Sequence, residues 1–199
     1  MNFENAKLVY LGSCIILGLI ILAPSLFTFY SFPEGERFSE LWLLGSNNLI
    51  ESGVVDILER ESYSLSLGVF NNMKDLKFYK VDVKFRNPSE PLPDSVAGLP
   101  SPLESVFEYY FFSRNNETWE DEFRFSFEDI LFEDNIFRIS RLSINDRDIK
   151  VDKIVLWDEK SNGFYCQFFF ELWIYDSTIS DFQFHNRFVS IWLNLTQLM

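Results

Sequence analysis

Ser62-Tyr63-Ser64-Leu65-Ser66-Leu67-Gly68-Val69 and, after the polar turn Asn71-Asn72-Met73-Lys74-Asp75, Tyr79-Lys80-Val81-Asp82-Val83-Lys84-Phe85 decide the fold class. Large apolar residues occupy every second position, and serine, glycine or charge fills the places between. In an extended chain successive side chains point to opposite faces, so this period marks strands with one buried face. A helix would need spacings of three and four. The short connection predicts that the two strands are neighbours in one sheet.

The same reading extends outward. On the N-terminal side, Leu41-Trp42-Leu43-Leu44 is a strand ending at the turn Gly45-Ser46-Asn47-Asn48. On the C-terminal side a break comes first: five of the seven prolines fall between Pro88 and Pro102. Proline cannot donate to a sheet ladder, so 87–103 is a surface loop, or else a boundary between subdomains. Val106–Phe112 resumes the pattern, and Phe123, Phe125 and Phe127 alternate with Arg124 and Ser126. Ile136–Ile144 is compatible with a strand or a short helix. Lys153–Trp157 and Phe164–Tyr175 flank an Asn162-Gly163 turn and predict a hairpin. The second arm carries rings on both faces, Phe164, Phe168 and Phe170 on one, Tyr165, Phe169 and Trp173 on the other. Such a strand belongs in the middle of an assembly or beneath a partner. Phe188–Leu195 closes the series. Eight or nine short strands with polar turns predict an all-β, antiparallel, immunoglobulin-like β-sandwich over 38–199.

Before this domain lies Leu8–Pro33, a run without a charged residue. About 20 helical residues cross the hydrocarbon core, and Ile15-Ile16-Leu17-Gly18-Leu19-Ile20-Ile21-Leu22 is apolar on every face. The run predicts one transmembrane helix over 8–30, with 1–7 cytoplasmic and 31–37 a short joint. A cleaved signal peptide is the alternative. The long core and the poor Ala23-Pro24-Ser25 site favour an uncleaved anchor. Lys7 and the terminal amine favour a cytoplasmic N-terminus, which puts the C-terminal domain outside the cell membrane.

Glu4 and Lys7 cancel, so the net charge of −13 sits wholly on the residues after Pro33. An acidic domain repels phosphate backbones, which argues against nucleic acid as a partner. The two cysteines, Cys14 and Cys166, fall in the apolar run and in a strand, and do not form a pair. Cys166 reads as a small buried apolar residue. The single histidine, His185, has no nucleophile elbow beside it and reads as structural. The carboxylate runs Glu117–Glu122 and Glu128–Asp134 read as solvated faces, with paired-carboxylate hydrolysis the alternative. Asn145-Asp146-Arg147-Asp148 with Asp152 supplies oxygen donors, making Asp146, Asp148 and Asp152 candidate calcium ligands, although the glycine and terminal glutamate of an EF-hand are missing. No other cofactor is indicated. Asn116-Glu117-Thr118 and Asn194-Leu195-Thr196 are glycosylation sequons.

Arg37-Phe38-Ser39-Glu40-Leu41-Trp42-Leu43-Leu44-Gly45, Leu67–Asn72, Phe170–Tyr175 and Phe182–Val189 leading into Trp192–Thr196 together resemble the archaeal membrane-protein family called domain of unknown function 1616. The likeness spans about Arg37 to Thr196. It implies membrane helices followed by a β-rich domain in an archaeal envelope, and it supplies no catalytic residue. Many relatives have several N-terminal helices where this chain has one. They often read Asn-His-Glu where Asn71-Asn72-Met73 stands here.

These readings converge on a non-enzymatic, membrane-anchored external domain, an accessory or structural subunit of an envelope complex. Its expected partners are the bilayer through 8–30 and other membrane or envelope proteins, or a second copy, through Tyr165, Phe169 and Trp173. A tethered solute- or glycan-binding module is the second reading and a carboxylate hydrolase the third.

Overall fold

The computed structural model describes residues 3–30, 36–45 and 53–196, with the side chains of its helix given for Lys7 and for Val9 to Leu22. The joint at 31–35, the turn beginning at Ser46 and the interfacial side chains expected at Phe27, Phe29 and Tyr30 lie outside the described residues. Contacts divide the chain into two compact units, Met1–Glu36 and Arg37–Met199.

The first unit is helix α1, Phe3–Tyr30, at 28 residues. Its ten described exposed apolar residues, from Val9 to Leu22, are each 55–74% accessible and lie on all sides of the helix. Among the described residues no helix is long and apolar enough to cross a membrane; the described side chains of α1 end at Leu22, before the uncharged run itself ends.

The second unit is one curled sheet of ten strands among the described residues: β1 Phe38–Leu44, β2 Val54–Ile57, β3 Ser62–Asn72, β4 Lys77–Arg86, β5 Phe107–Ser113, β6 Glu117–Glu133, β7 Ile136–Ile144, β8 Arg147–Asp158, β9 Gly163–Asp176 and β10 Asp181–Leu195. The order is β1-β3-β6-β7-β8-β9-β10-β2, with β4 on the other edge of β9 and β5 beyond it. The Pro-rich segment lies inside this unit. Ile136–Ile144 is a strand, as its β-branched residues allow.

Three expectations are corrected. First, β3 and β4 are not neighbours: β3 pairs with β1 and β6, whereas β4 pairs with β5 and β9. Each has a fully apolar inner face, with Leu65, Leu67 and Val69 on one and Tyr79, Val81, Val83 and Phe85 on the other, all buried. Both rows join one buried core, in which Phe85 of β4 meets Phe127 of β6 at 5.9 Å. Second, the Asn162-Gly163 hairpin pairs only Trp157 with Phe164 and Asp158 with Gly163. Beyond that tip β8 runs with β7 and β9 runs with β4 and β10, and there the sheet curls. Third, the pairing is not wholly antiparallel, because β2 runs parallel to β10 from Val54–Trp192 to Ile57–Leu195.

The core lies inside the curl of the sheet. Phe123 stands edge-on to Phe168 at 5.2 Å and to Phe170 at 5.0 Å, and Phe125 meets Phe168 at 5.1 Å. Phe85 approaches Phe127 at 5.9 Å, and Phe111 stacks on Trp119 at 3.8 Å. Edge-to-face and offset contacts suit the ring quadrupole and add roughly 0.5–1.5 kcal/mol each beyond area burial. On β3, Gly68 has no side chain because the Trp42 ring of β1 occupies that space: a Cβ there would sit 2.2 Å from it.

At one end of the unit the turns are tied by Asn71. Its side-chain amide donates to the carbonyls of Asp75 at 2.9 Å and Ser113 at 2.8 Å, and its Oδ1 accepts from the Met73 amide at 2.9 Å. Its backbone carbonyl accepts from Asn116 at 2.7 Å. Asn71 is fully buried, so removing its amide strands two carbonyls and an N–H. Asn71→Ala is expected to lower stability by about 1–3 kcal/mol, read as a lower denaturant midpoint with an unchanged slope.

Candidate functional site

The outer face of β4 and β9 holds charge where a sheet surface usually meets water. Alternation puts Lys80, Asp82, Lys84 and Arg86 outward from β4 and Gln167, Phe169, Glu171 and Trp173 outward from β9. The register sets Lys80 opposite Trp173, Asp82 opposite Glu171, Lys84 opposite Phe169 and Arg86 opposite Gln167. Asp82, Lys84, Arg86, Gln167, Phe169 and Glu171 are all buried.

The cover comes from the Pro-rich segment. Lys84 Nζ lies 2.9 Å from Glu171 Oε2, with side-chain exposures of 5% and 0%. The same ammonium donates to the Ser101 carbonyl at 2.7 Å, and the Ser101 amide donates to Glu171 Oε1 at 2.7 Å. Ser101 Oγ donates back to the Pro91 carbonyl at 2.9 Å. Arg86 donates to Gln167 at 2.7 Å and to the Glu90 carbonyl, and Gln167 continues to Ser190 at 2.9 Å. Glu90 also pairs with Lys153. Gly98, at φ 70°, lies against Asn186 in the bulge of β10 between Phe184 and Arg187. The segment 87–103 is thus a strap across the sheet, held by ion pairs and backbone hydrogen bonds.

Residues picked out from the sequence take different places. Phe169 is fully buried between Lys84 and Ser190 in the register and is unavailable to a partner, which corrects its assignment to a partner surface. Tyr165 and Trp173 are half-buried. The strap supplies the cover that an outside partner was expected to give. The calcium candidates do not assemble: Asp146 faces Arg124 at 3.5 Å, Asp148 faces Arg141 at 3.6 Å, and Asp152 lies on β8 beyond Lys150. Among the described residues no three His, Cys, Asp or Glu side chains form a metal-holding group. Asn116 is exposed in the turn before β6 at φ 62°. Asn194 lies within β10 and donates to Asp56 at 2.9 Å. The carboxylate run at Glu120–Glu122 is exposed along β6. Cys166 is buried, and desolvation pushes its thiol up, away from the reactive thiolate.

Sequence reasoning missed the buried carboxylate pair Asp82–Glu171. Burial pushes the Asp82 carboxyl above its usual range, against the pull of Lys80 at 3.0 Å. Each carboxylate therefore faces its own lysine, an arrangement that neutralises charge under a cover. The legible signal was the strictly alternating charge on Lys80, Asp82 and Lys84 directly before a proline-rich segment. His185 is in the β10 bulge; desolvation, with Arg187 nearby, lowers its pKa to about 4.

No family model and no curated protein matches this chain. Among solved structures, a β-glucosidase from Listeria innocua with gluconolactone has 9% identity and a TM-score of 0.32 over 80% of this chain and 17% of that one. A β-D-glucoside glucohydrolase from Trichoderma reesei has 9% identity and a TM-score of 0.33 over 81% of this chain and 19% of that one. The chain spans under a fifth of the length of these enzymes, and likeness at this level assigns no activity.

Two outcomes test the strap. Lys84→Met leaves Glu171 buried without its lysine, so stability is expected to fall by about 3–5 kcal/mol, with much of it regained in Lys84→Met/Glu171→Leu. For His185, the folded pKa lies below the unfolded value, so the unfolded chain binds the proton more readily. Its contribution is complete above about pH 6.5 and is lost as pH falls towards 4. His185→Gln is expected to flatten the drop in unfolding midpoint between pH 7 and pH 4.

Proposed function

We propose that this chain is a membrane-anchored, non-catalytic domain acting outside the cytoplasm as an accessory or structural subunit of an envelope complex. The observation that carries the reading is α1: an unbroken helix with apolar side chains open on every side, continuous with an uncharged run ending at Pro33. Water does not tolerate such a surface, and a bilayer accepts it. The finer fold description and the family assignment belong to the same proposal. The facing strands are taken as layers of a β-sandwich, supported by Phe123 against Phe168 and Phe170. Membership of family 1616 rests on the phrases quoted above, of which Phe38–Leu44 forms β1.

A second reading has its own observation. Trp157, 40% exposed, lines a groove of about 330 Å³ with Asn87, Ser89, Leu156 and Asp158. A flat ring beside short polar groups suits a sugar face, so a tethered glycan-binding module is the alternative.

Alkaline carbonate washing of native membranes is expected to leave the chain in the pellet, and gentle extraction to yield a particle heavier than one chain. Release into the wash removes the anchor, and a clean monomer removes the subunit role. Glycan binding that quenches wild-type tryptophan fluorescence and is lost in Trp157→Ala selects the second reading.

A further inference from the structure

The strand registers put four segments at one end of the β unit. Phe38 pairs with Asn72, Lys77 with Ser113, and Asp181 with Asp176. The entry of the chain at Arg37 and the turns 73–76, 114–116 and 177–180 therefore share that end. The Lys74 amide donates to Asn115 at 2.8 Å, tying two of those turns together.

This end carries a group of exposed apolar residues. Leu76 and Ile179, at the tips of two turns, are 59% and 53% exposed, and Phe112 and Tyr110 on β5 are 66% and 53% exposed. Behind them Phe78 stacks on Phe112 at 4.4 Å and meets Phe182 at 5.1 Å, and Tyr110 meets Phe182 at 5.8 Å. The rings of Phe78, Tyr110, Phe112 and Phe182 are connected, and Lys74, Asp75 and Lys77 stand in the adjoining turn and strand start, with Lys77 paired to Asp75 at 3.9 Å. Aliphatic side chains beside a ring cluster form the composition of a surface that sits among lipid headgroups.

We propose that this rim rests in the headgroup region of the bilayer, with Leu76, Phe112 and Ile179 immersed. The inference builds on the membrane-anchor reading. The choice of lipid as occupant follows from the place of the patch: it lies at the end of the unit where the chain enters at Arg37, and the joint before it extends at most about 3.3–3.6 Å per residue. The domain's acidic charge argues against attraction to anionic lipid, so apolar insertion supplies the contact and phosphatidylcholine is the appropriate bilayer.

The test is nitroxide depth measurement on the full chain in phosphatidylcholine vesicles. A label on native Cys14 reports the anchor. In a Cys14→Ser chain, where Cys166 is buried and unreactive, labels at Ile179→Cys and Ser161→Cys report the rim and the opposite end. Expected are oxygen accessibilities several-fold above those to a water-soluble nickel chelate at positions 14 and 179, and the reverse at 161. Leu76→Asp/Phe112→Asp is expected to return label 179 to water without changing label 14. Label 14 in lipid with label 179 in water overturns the rim and leaves the anchor standing. Label 14 in water overturns the anchor reading and the rim with it. Labels 179 and 161 both in lipid, or label 179 unmoved by the double variant, overturn the rim.

Discussion

Strand β9 is buried on both faces, and the rest of the domain is arranged around that constraint. Its inner face gives Phe168 and Phe170 to the ring cluster that draws β6 across the core. Its outer face carries Glu171 and Gln167, whose burial is tolerable only with partners of opposite charge or matching hydrogen-bond sense. β4 supplies Lys84 and Arg86 beside them, and the strap supplies Ser101 and the Glu90 carbonyl. A charged sheet face thereby becomes an interior layer without leaving its ions alone.

The curl of the sheet has a similarly local cause. Trp157–Phe164 and Asp158–Gly163 are the pairs that join β8 to β9, so the two strands separate after one turn. Each then finds another neighbour. The inner rows of β3 and β4 join one core although the strands, linked by a short turn, do not pair. Buried Asn71 closes the open end by holding β3 to the carbonyl after which β5 turns. Specific polar bonds at the edges thus fix what non-directional ring packing alone would leave loose.

Much of the strand content was legible. Tyr79 to Phe85 and Phe123 to Phe127 point inward as their alternation implies, and the double-faced pattern of β9 marked a central strand. Pairing was less legible, because a short connection suits a hairpin and a crossing between layers equally. The candidate site was the least legible part. Phe169 looked like a surplus ring awaiting a partner because sequence does not show that residues 87–103 return over it. Lys80, Asp82 and Lys84 looked solvated for the same reason. The candidate calcium ligands were adjacent in sequence, yet a turn and a strand direct them to separate arginines.

By itself the sequence determined local properties: an uncharged apolar helix before an acidic domain, strands where the period is two, and turns where Asn, Gly and Pro interrupt it. These follow from each residue's own geometry and solvation, which neighbours a few positions away suffice to express. Tertiary structure alone decided which strands pair, that the proline-rich segment is a strap, and that Lys84 and Glu171 pair beneath it. That Leu76, Phe112 and Ile179 share the end at which the chain enters is also a tertiary fact. Those depend on contacts between residues dozens of positions apart, where the chain's path through space, rather than its local pattern, sets the neighbours.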